Sequence, residues 1–171
     1  MEKPAITPLD IHAHIKNRWS PRSFNPDKPI DKDAVLRILE APRWAPSAFN
    51  EQPWRFIVGT KGTASWEAIL ENLVPFNQEW AQNAWLLIVN IGKKTLTQNG
   101  KDNGTFAYDV GGSVAYITFQ AMEEGLISHQ MGGFSKSGLA KAFQIPEDFE
   151  VLTVIAIGHQ DSPEKLSEDL R

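Results

Sequence analysis

The stretch Trp85-Leu-Leu-Ile-Val-Asn-Ile91 is almost unbroken in its apolar character. A strand with one face in water alternates apolar and polar side chains, so a run without alternation predicts a strand covered on both faces. Val151 to Gly158 carries a second buried-strand pattern. Helical patterns lie between and around these strands, which makes the class α/β or α+β around a sheet of three to five strands. There is no internal repeat, low-complexity segment or linker, so residues 1–171 read as one domain. Scaling with mass predicts a folded surface of about 8,400 Å² for such a chain.

The remaining elements follow from local signals. Thr7-Pro8 reads as a cap and first helical residue, predicting a helix to about Asn17. Asp31 caps a second helix, with Ile30 and Val35 spaced as a hydrophobic staple and Val35, Leu36, Ile38 and Leu39 as its apolar stripe. Ala45 to Pro53 is a loop with room for one helical turn. Arg55 to Gly59 predicts a strand and Ala64 to Leu73 a helix. Lys93 to Thr105, with two Asn-Gly pairs, predicts a flexible loop. Phe106 to Glu124, closed by Gly125, is helical and apolar almost all round, which calls for cover on the side away from the sheet, from a second subunit in so short a chain. Leu126 to Met131 predicts a short strand and Ser135 to Phe143 a helix.

Composition removes several kinds of chemistry. Without cysteine there is no disulfide scaffold, thiolate zinc site, iron–sulfur cluster or thiol redox centre, so any electron transfer requires a bound cofactor. The net charge of −4 comes without a basic run, which argues against nucleic acid. No apolar run is long enough to span a bilayer, and the first residues lack a signal-peptide core, so the expected location is the cytoplasm. His12 and His14, two apart on a predicted helix, point different ways and read as surface residues rather than metal ligands.

Three segments could carry chemistry. In Arg18-Trp19-Ser20-Pro21-Arg22, Pro21 favours an extended backbone, and alternate residues of an extended chain share a face. Arg18, Ser20 and Arg22 would then meet a phosphate together; the other reading is two solvated arginines beside a turn. Pro46-Ser47-Ala48-Phe49-Asn50-Glu51-Gln52-Pro53-Trp54 is proline-stiffened and rich in amides, suited to the polar edge of a planar heterocycle. The alternative is ordinary turn chemistry, with Ser47 as a helix cap and Asn50 bonding its own backbone. Gly132-Gly133-Phe134 allows close backbone approach to a ligand, or is a plain turn.

In this order the three segments resemble the FMN-dependent nitroreductase family. Its Arg-x-Ser-x-Arg-x-Phe element matches Arg18 to Phe24, and its Pro-Ser-x-x-Asn-x-Gln-Pro-Trp element matches Pro46 to Trp54 in full. The long helix with Asp109 and Gly111, and Gly132-Gly133-Phe134, match the family's dimer helix and flavin-side glycines. The resemblance implies an α+β dimer around a mostly antiparallel sheet of four to five strands. It implies that Arg18, Trp19, Ser20 and Arg22 bind the FMN phosphate and ribityl region, and that Asn50 bonds the ring edge. Pro46, Ser47 and Ala48 would line the flavin bound mainly by the other subunit. Gly132 and Gly133 would pack near the ring, while Gln52 and Trp54 support the loop.

The implied reaction passes hydride from NADH or NADPH through the flavin to a nitroaromatic, quinone or similar small aromatic acceptor. No acid–base side chain and no metal is called for. A different flavin reaction on the same scaffold, such as dehalogenation or dehydrogenation, and a non-enzymatic flavin carrier are the alternatives. Family members commonly extend past the late strand with an arm that brings a basic residue to the phosphate. Here the chain stops at Arg171, so that arm is expected to be short or absent.

Overall fold

The computed structural model describes residues 3–170. Four strands, β1 (Trp54–Thr60), β2 (Leu86–Lys93), β3 (Ile127–Met131) and β4 (Phe149–Gly158), form one sheet in the order β1-β2-β4-β3. Every pairing is antiparallel. The predicted double burial of the apolar run holds: β2 is buried from Leu86 through Gly92. Its side chains alternate between two cores. Leu87, Val89 and Ile91 join Val154 and Ala156 on one face, whereas Leu86 and Ile88 join Ile155 and Ile157 on the other.

Helices cover both faces, which makes the fold α+β. On the first face lie α3 (Ala64–Glu71), α4 (Pro75–Ala81) and α6 (Lys136–Ala142), contributing Trp66, Ile69, Trp80 and Leu139. On the second lie α2 (Lys32–Glu40) and α5 (Phe106–Glu123), contributing Ile38, Val110, Val114, Ile117 and Ala121. Asp31 caps α2 through a 3.1 Å bond from the Asp33 amide, and Ile30 and Val35 both pack into this second core. Of the predicted apolar stripe only Leu36 points out, 55% exposed. The Arg37 guanidinium grips Glu124 with two 2.7 Å bonds and ties α2 to the end of α5. That grip holds the Glu124 carboxyl down at about 2.

Three points of the sequence reading need correction. The first helix, α1 (Ala13–Asn17), starts later than Pro8, because the Thr7 hydroxyl accepts the Leu9 amide in a local turn that competes with a helix. Helix α4 was not anticipated; its start is Val74-Pro75, and Trp80 anchors it in full burial. The 93–105 segment is tied down rather than loose. A Thr95–Asp102 bridge closes it, and the Thr97 amide donates to the Glu51 carboxylate at 2.9 and 3.0 Å. The outer side of helix α5 is left uncovered within one chain, in line with the expected need for cover there: Tyr108 and Tyr116 are exposed, with Gly111 and Gly112 beside them.

Residues 160–170 lie back on their own chain. Ser23 Oγ donates to the Ser162 carbonyl at 2.6 Å, Ser167 Oγ donates to Glu79 at 2.8 Å, and Leu170 is buried in the first core. Among the described residues no helix is long and apolar enough to cross a membrane.

At Gly59 helix α3 approaches β1 backbone to backbone. A Cβ there would lie 2.6 Å from Trp66 Cα and 2.7 Å from Trp66 N, both backbone atoms. Gly59→Ala should therefore cost about 1–3 kcal/mol through overpacking. Gly104, which faces open space, should accept alanine with a change of no more than about 0.5 kcal/mol. Urea-unfolding midpoints of the two variants check the contrast.

Candidate active site

The chain leaves α1 at Arg18 with extended dihedrals, φ −70° and ψ 125°. Arg18 and Ser20 do share a face: Arg18 Nη1 donates to Ser20 Oγ at 3.3 Å. The expectation that Arg22 joins them on one surface is met only in part. Ser20 and Arg22 line a cavity of about 250 Å³, whereas Arg18 lines an adjacent one of about 170 Å³. Lys3, Trp19 and Gln160 belong to both walls. Arg22 lies over the Phe76 ring at 5.5 Å, and its Nε is buried with no hydrogen-bond partner among the described residues. Asp161 also lines the larger cavity, with its charge paired to Lys165 at 2.6 Å.

An aromatic stack supports this segment from below. Trp80 packs against His129 at 4.5 Å and against Phe24 at 6.1 Å. Burial pushes the His129 pKa down, and the nearby Arg22 charge adds to the effect against the carbonyls of Pro21 and Ser20. His129 is thus neutral near pH 7. Its Nδ1 lies 3.1 Å from the Pro21 carbonyl, so the proton sits on Nδ1 and is donated there. The ring fixes the backbone of the arginine segment.

Helix α4 links this segment to the glycine pair. The Gly133 carbonyl accepts from Val74 N and from Asn77 Nδ2, each at 3.0 Å. A Cβ on Gly133 would lie 2.8 Å from both Val74 Cγ2 and Asn77 Nδ2, so a larger residue would push both side chains aside where α4 begins. Gly132 faces open space and is exposed. The two neighbours thus differ: Gly133 serves packing, and Gly132 leaves a surface a planar group can approach.

The Pro46 to Trp54 segment is built by strain and self-bonding. Phe49, Asn50 and Gln52 all have left-handed φ, at 54°, 55° and 48°. Non-glycine residues in this region cost about 1–2 kcal/mol each. Local bonds hold the shape. Ser47 Oγ accepts the Gln52 amide at 3.0 Å, Gln52 Nε2 donates to Asn50 Oδ1 at 3.0 Å, and the buried Asp109 accepts the Ala48 amide at 3.2 Å. Ser47 therefore closes the loop and does not cap a helix. With Oδ1 engaged, Asn50 presents its Nδ2 donors. Trp54 is buried, and Phe49 projects 82% exposed.

The three segments do not form one pocket within one chain. The arginine segment packs on β3 and the glycine pair follows it, at one edge of the sheet. The amide loop leads into β1, at the opposite edge. No local pattern points to Lys3, His129 or α4 in this region. The role of Asp109 had a visible signal, an acid in the first turn of an otherwise apolar helix.

These features define an α+β domain with a cluster of arginines and a hydroxyl at one sheet edge and a rigid amide loop at the other. A family model described as the nitroreductase family matches residues 15–159, and the chain belongs to that family. A solved structure described as an oxidoreductase containing FMN is 34% identical with a TM-score of 0.91, covering 96% of this chain and 84% of that one. An FMN-dependent nitroreductase from Clostridium difficile R20291 is 26% identical with a TM-score of 0.71, covering 91% of each chain. The major NAD(P)H-flavin oxidoreductase of Aliivibrio fischeri is 28% identical over 90 residues, 52% of this chain and 41% of that protein.

The depressed His129 pKa has a consequence for stability. The unfolded histidine, with a pKa of about 6.5, takes up a proton more readily than the folded one, so stability is full above that value and falls as the pH drops below it. His159, also lowered by burial, acts in the same direction. Urea midpoints should therefore decline from pH 7.5 to pH 5.5, and His129→Gln should flatten that decline.

Proposed function

We propose that this protein is an FMN-dependent oxidoreductase that takes hydride from NADH or NADPH and delivers it to nitroaromatic, quinone or similar small aromatic acceptors. It acts as a homodimer with two flavin sites at the subunit interface. The observation that carries this reading is the donor set beside Trp19: Arg22, whose buried Nε has no partner among the described residues, with Ser20 in the same cavity and Arg18 in the adjacent one. Guanidinium forks and a hydroxyl suit a phosphate monoester, through charge-assisted and bidentate bonds. Membership of the nitroreductase family, and the FMN named in two similar structures, point to the same cofactor.

Arg18, Ser20 and Arg22 would hold the phosphate and ribityl end, with Trp19 forming the wall between them. Gly132 would let the ring lie close to the backbone at the end of β3, with Gly133 fixing that backbone on α4. Asn50, with Pro46, Ser47 and Ala48, would come from the partner subunit, its Nδ2 donating to the polar edge of the ring. Bound FMN supplies a two-electron carrier, which explains redox chemistry in a chain without cysteine. The neutral His129, committed to Pro21, holds its proton and does not serve as an acid.

Two observations favour the dimer. The exposed surface of one chain is 9612 Å², about 1,200 Å² above the value that mass scaling gives for a monomer. Large aromatics also stand in water: Trp44, Phe49, Tyr108 and Tyr116 are exposed on the amide-loop and α5 side. A patch of this kind marks a protein–protein surface.

The purified protein should be yellow or take up added FMN, and NADH or NADPH should bleach it anaerobically. A colourless protein that refuses FMN rejects the assignment. Arg18→Ala with Arg22→Ala should weaken FMN binding by about 2–4 kcal/mol, a thirty- to thousandfold rise in Kd. Sedimentation should give dimers; monomers with full flavin occupancy would exclude a shared site.

A further inference from the structure

We infer that Lys3 is a third cation of the phosphate site, supplied by the N-terminal segment. The inference rests on the FMN reading above and deepens it. Lys3 is the one cationic residue that lines both cavities flanking Trp19, the one with Arg18 and the one with Ser20 and Arg22. Its ammonium sits 4.7 Å from the centre of the Trp19 ring, and among the described residues it forms no ion pair. The position is held by the backbone: Ala5 N donates to the Lys16 carbonyl at 2.7 Å, which lays the N-terminal segment alongside α1.

The chemistry of the site makes room for a third charge. A phosphate monoester carries close to two negative charges at pH 7. Arg22 is shared with the face of Phe76, and the cavity wall includes Asp161, whose charge is taken up by Lys165. Residues 160–170 lie on their own chain and bring Pro163, Leu166 and Leu170 to this cavity; the only cation they carry near it, Lys165, is the one bound to Asp161. Lys3, exposed and on the wall of both cavities, is placed to bring a further cation to the phosphate. A compact ammonium on a flexible stem can leave the indole face and still contact an oxygen. Its effect falls on ligands that carry phosphate, and the ring and ribityl contacts are untouched.

The test compares FMN with riboflavin, which lacks the phosphate, by quenching of flavin fluorescence on titration of the full-length protein. Lys3→Gln should raise the Kd for FMN about five- to twentyfold at low salt, the range of a solvent-screened charged hydrogen bond. Riboflavin affinity should stay unchanged, Lys3→Arg should restore most of the FMN affinity, and the FMN effect should shrink at high salt. If Lys3→Gln leaves FMN binding unchanged while Arg18→Ala with Arg22→Ala weakens it, the role of Lys3 is refuted and the arginine cradle stands. Equal weakening of FMN and riboflavin would refute it too, as loss of structure rather than of a phosphate contact. If the unaltered protein binds neither flavin, this inference and the FMN reading both fail.

Discussion

The pairing of β2 with β4 is the constraint from which the rest of the structure follows. β2 from Leu86 to Gly92 and β4 from Val154 to Gly158 are buried on both faces, and their side chains feed two separate cores. An antiparallel pair with water on one side needs a single apolar layer; this one needs two. Helices α3, α4 and α6 supply one layer, and α2 and α5 the other. The interior is not wholly apolar. Asn90 lies fully buried in β2, and its Nδ2 donates to Thr153 Oγ1 at 2.9 Å where the β2–β4 register shifts. Placing this pair at the centre leaves β1 and β3 as the edges, and each candidate binding segment adjoins one of those edges.

Packing and binding are divided between neighbouring residues at each edge. Gly133 and Gly132 are adjacent, yet a side chain on the first would collide with α4 and on the second would meet nothing. Asn50 and Gln52 both stand in the left-handed region, and one steadies the other. His129 spends its only ring proton on the Pro21 carbonyl. In each case a residue without ligand chemistry of its own fixes the backbone of one that has it. The strained loop shows the scale of that support. Three left-handed non-glycine residues oppose the fold by several kcal/mol, at about 1–2 kcal/mol each. The bonds from Ser47, Asn50 and Asp109 offset part of it, each typically about 1 kcal/mol.

Much of the fold was legible because its signals are periodic or local. The unbroken run at Trp85 to Ile91 gave the central strand, Asp31 with its staple gave α2, and Gly125 at φ +70° gave the end of α5. Helix α4 was not legible, since Pro-Phe-Asn-Gln-Glu-Trp-Ala shows no stripe; one tryptophan buried by distant partners holds it. The start of α1 departs from the Thr7-Pro8 signal because the hydroxyl of Thr7 closes its own turn. At the site, alternation correctly put Arg18 and Ser20 on one face. It could not show that Trp19 stands between two cavities, or that a lysine fifteen positions upstream of Arg18 reaches both. Such contacts depend on how distant segments pack, which local pattern does not encode.

On the proposed dimer reading, the uncovered side of α5 and the division of the candidate segments between sheet edges belong together. A helix this apolar is costly to leave in water, yet within one chain only the face with Val110, Val114, Ile117 and Ala121 is buried. Its opposite face carries Tyr108 and Tyr116, and Gly111 and Gly112 make a low surface that another backbone can approach. The amide loop is fastened to the first turn of this same helix through Asp109. In the proposed dimer, a copy that covers α5 therefore meets the loop as well, and burying the helix and completing the flavin site become one event. On that reading the strain at Phe49, Asn50 and Gln52 belongs to assembly. The single chain carries the cost, and the interface recovers it when Phe49 leaves water and Asn50 faces the ring.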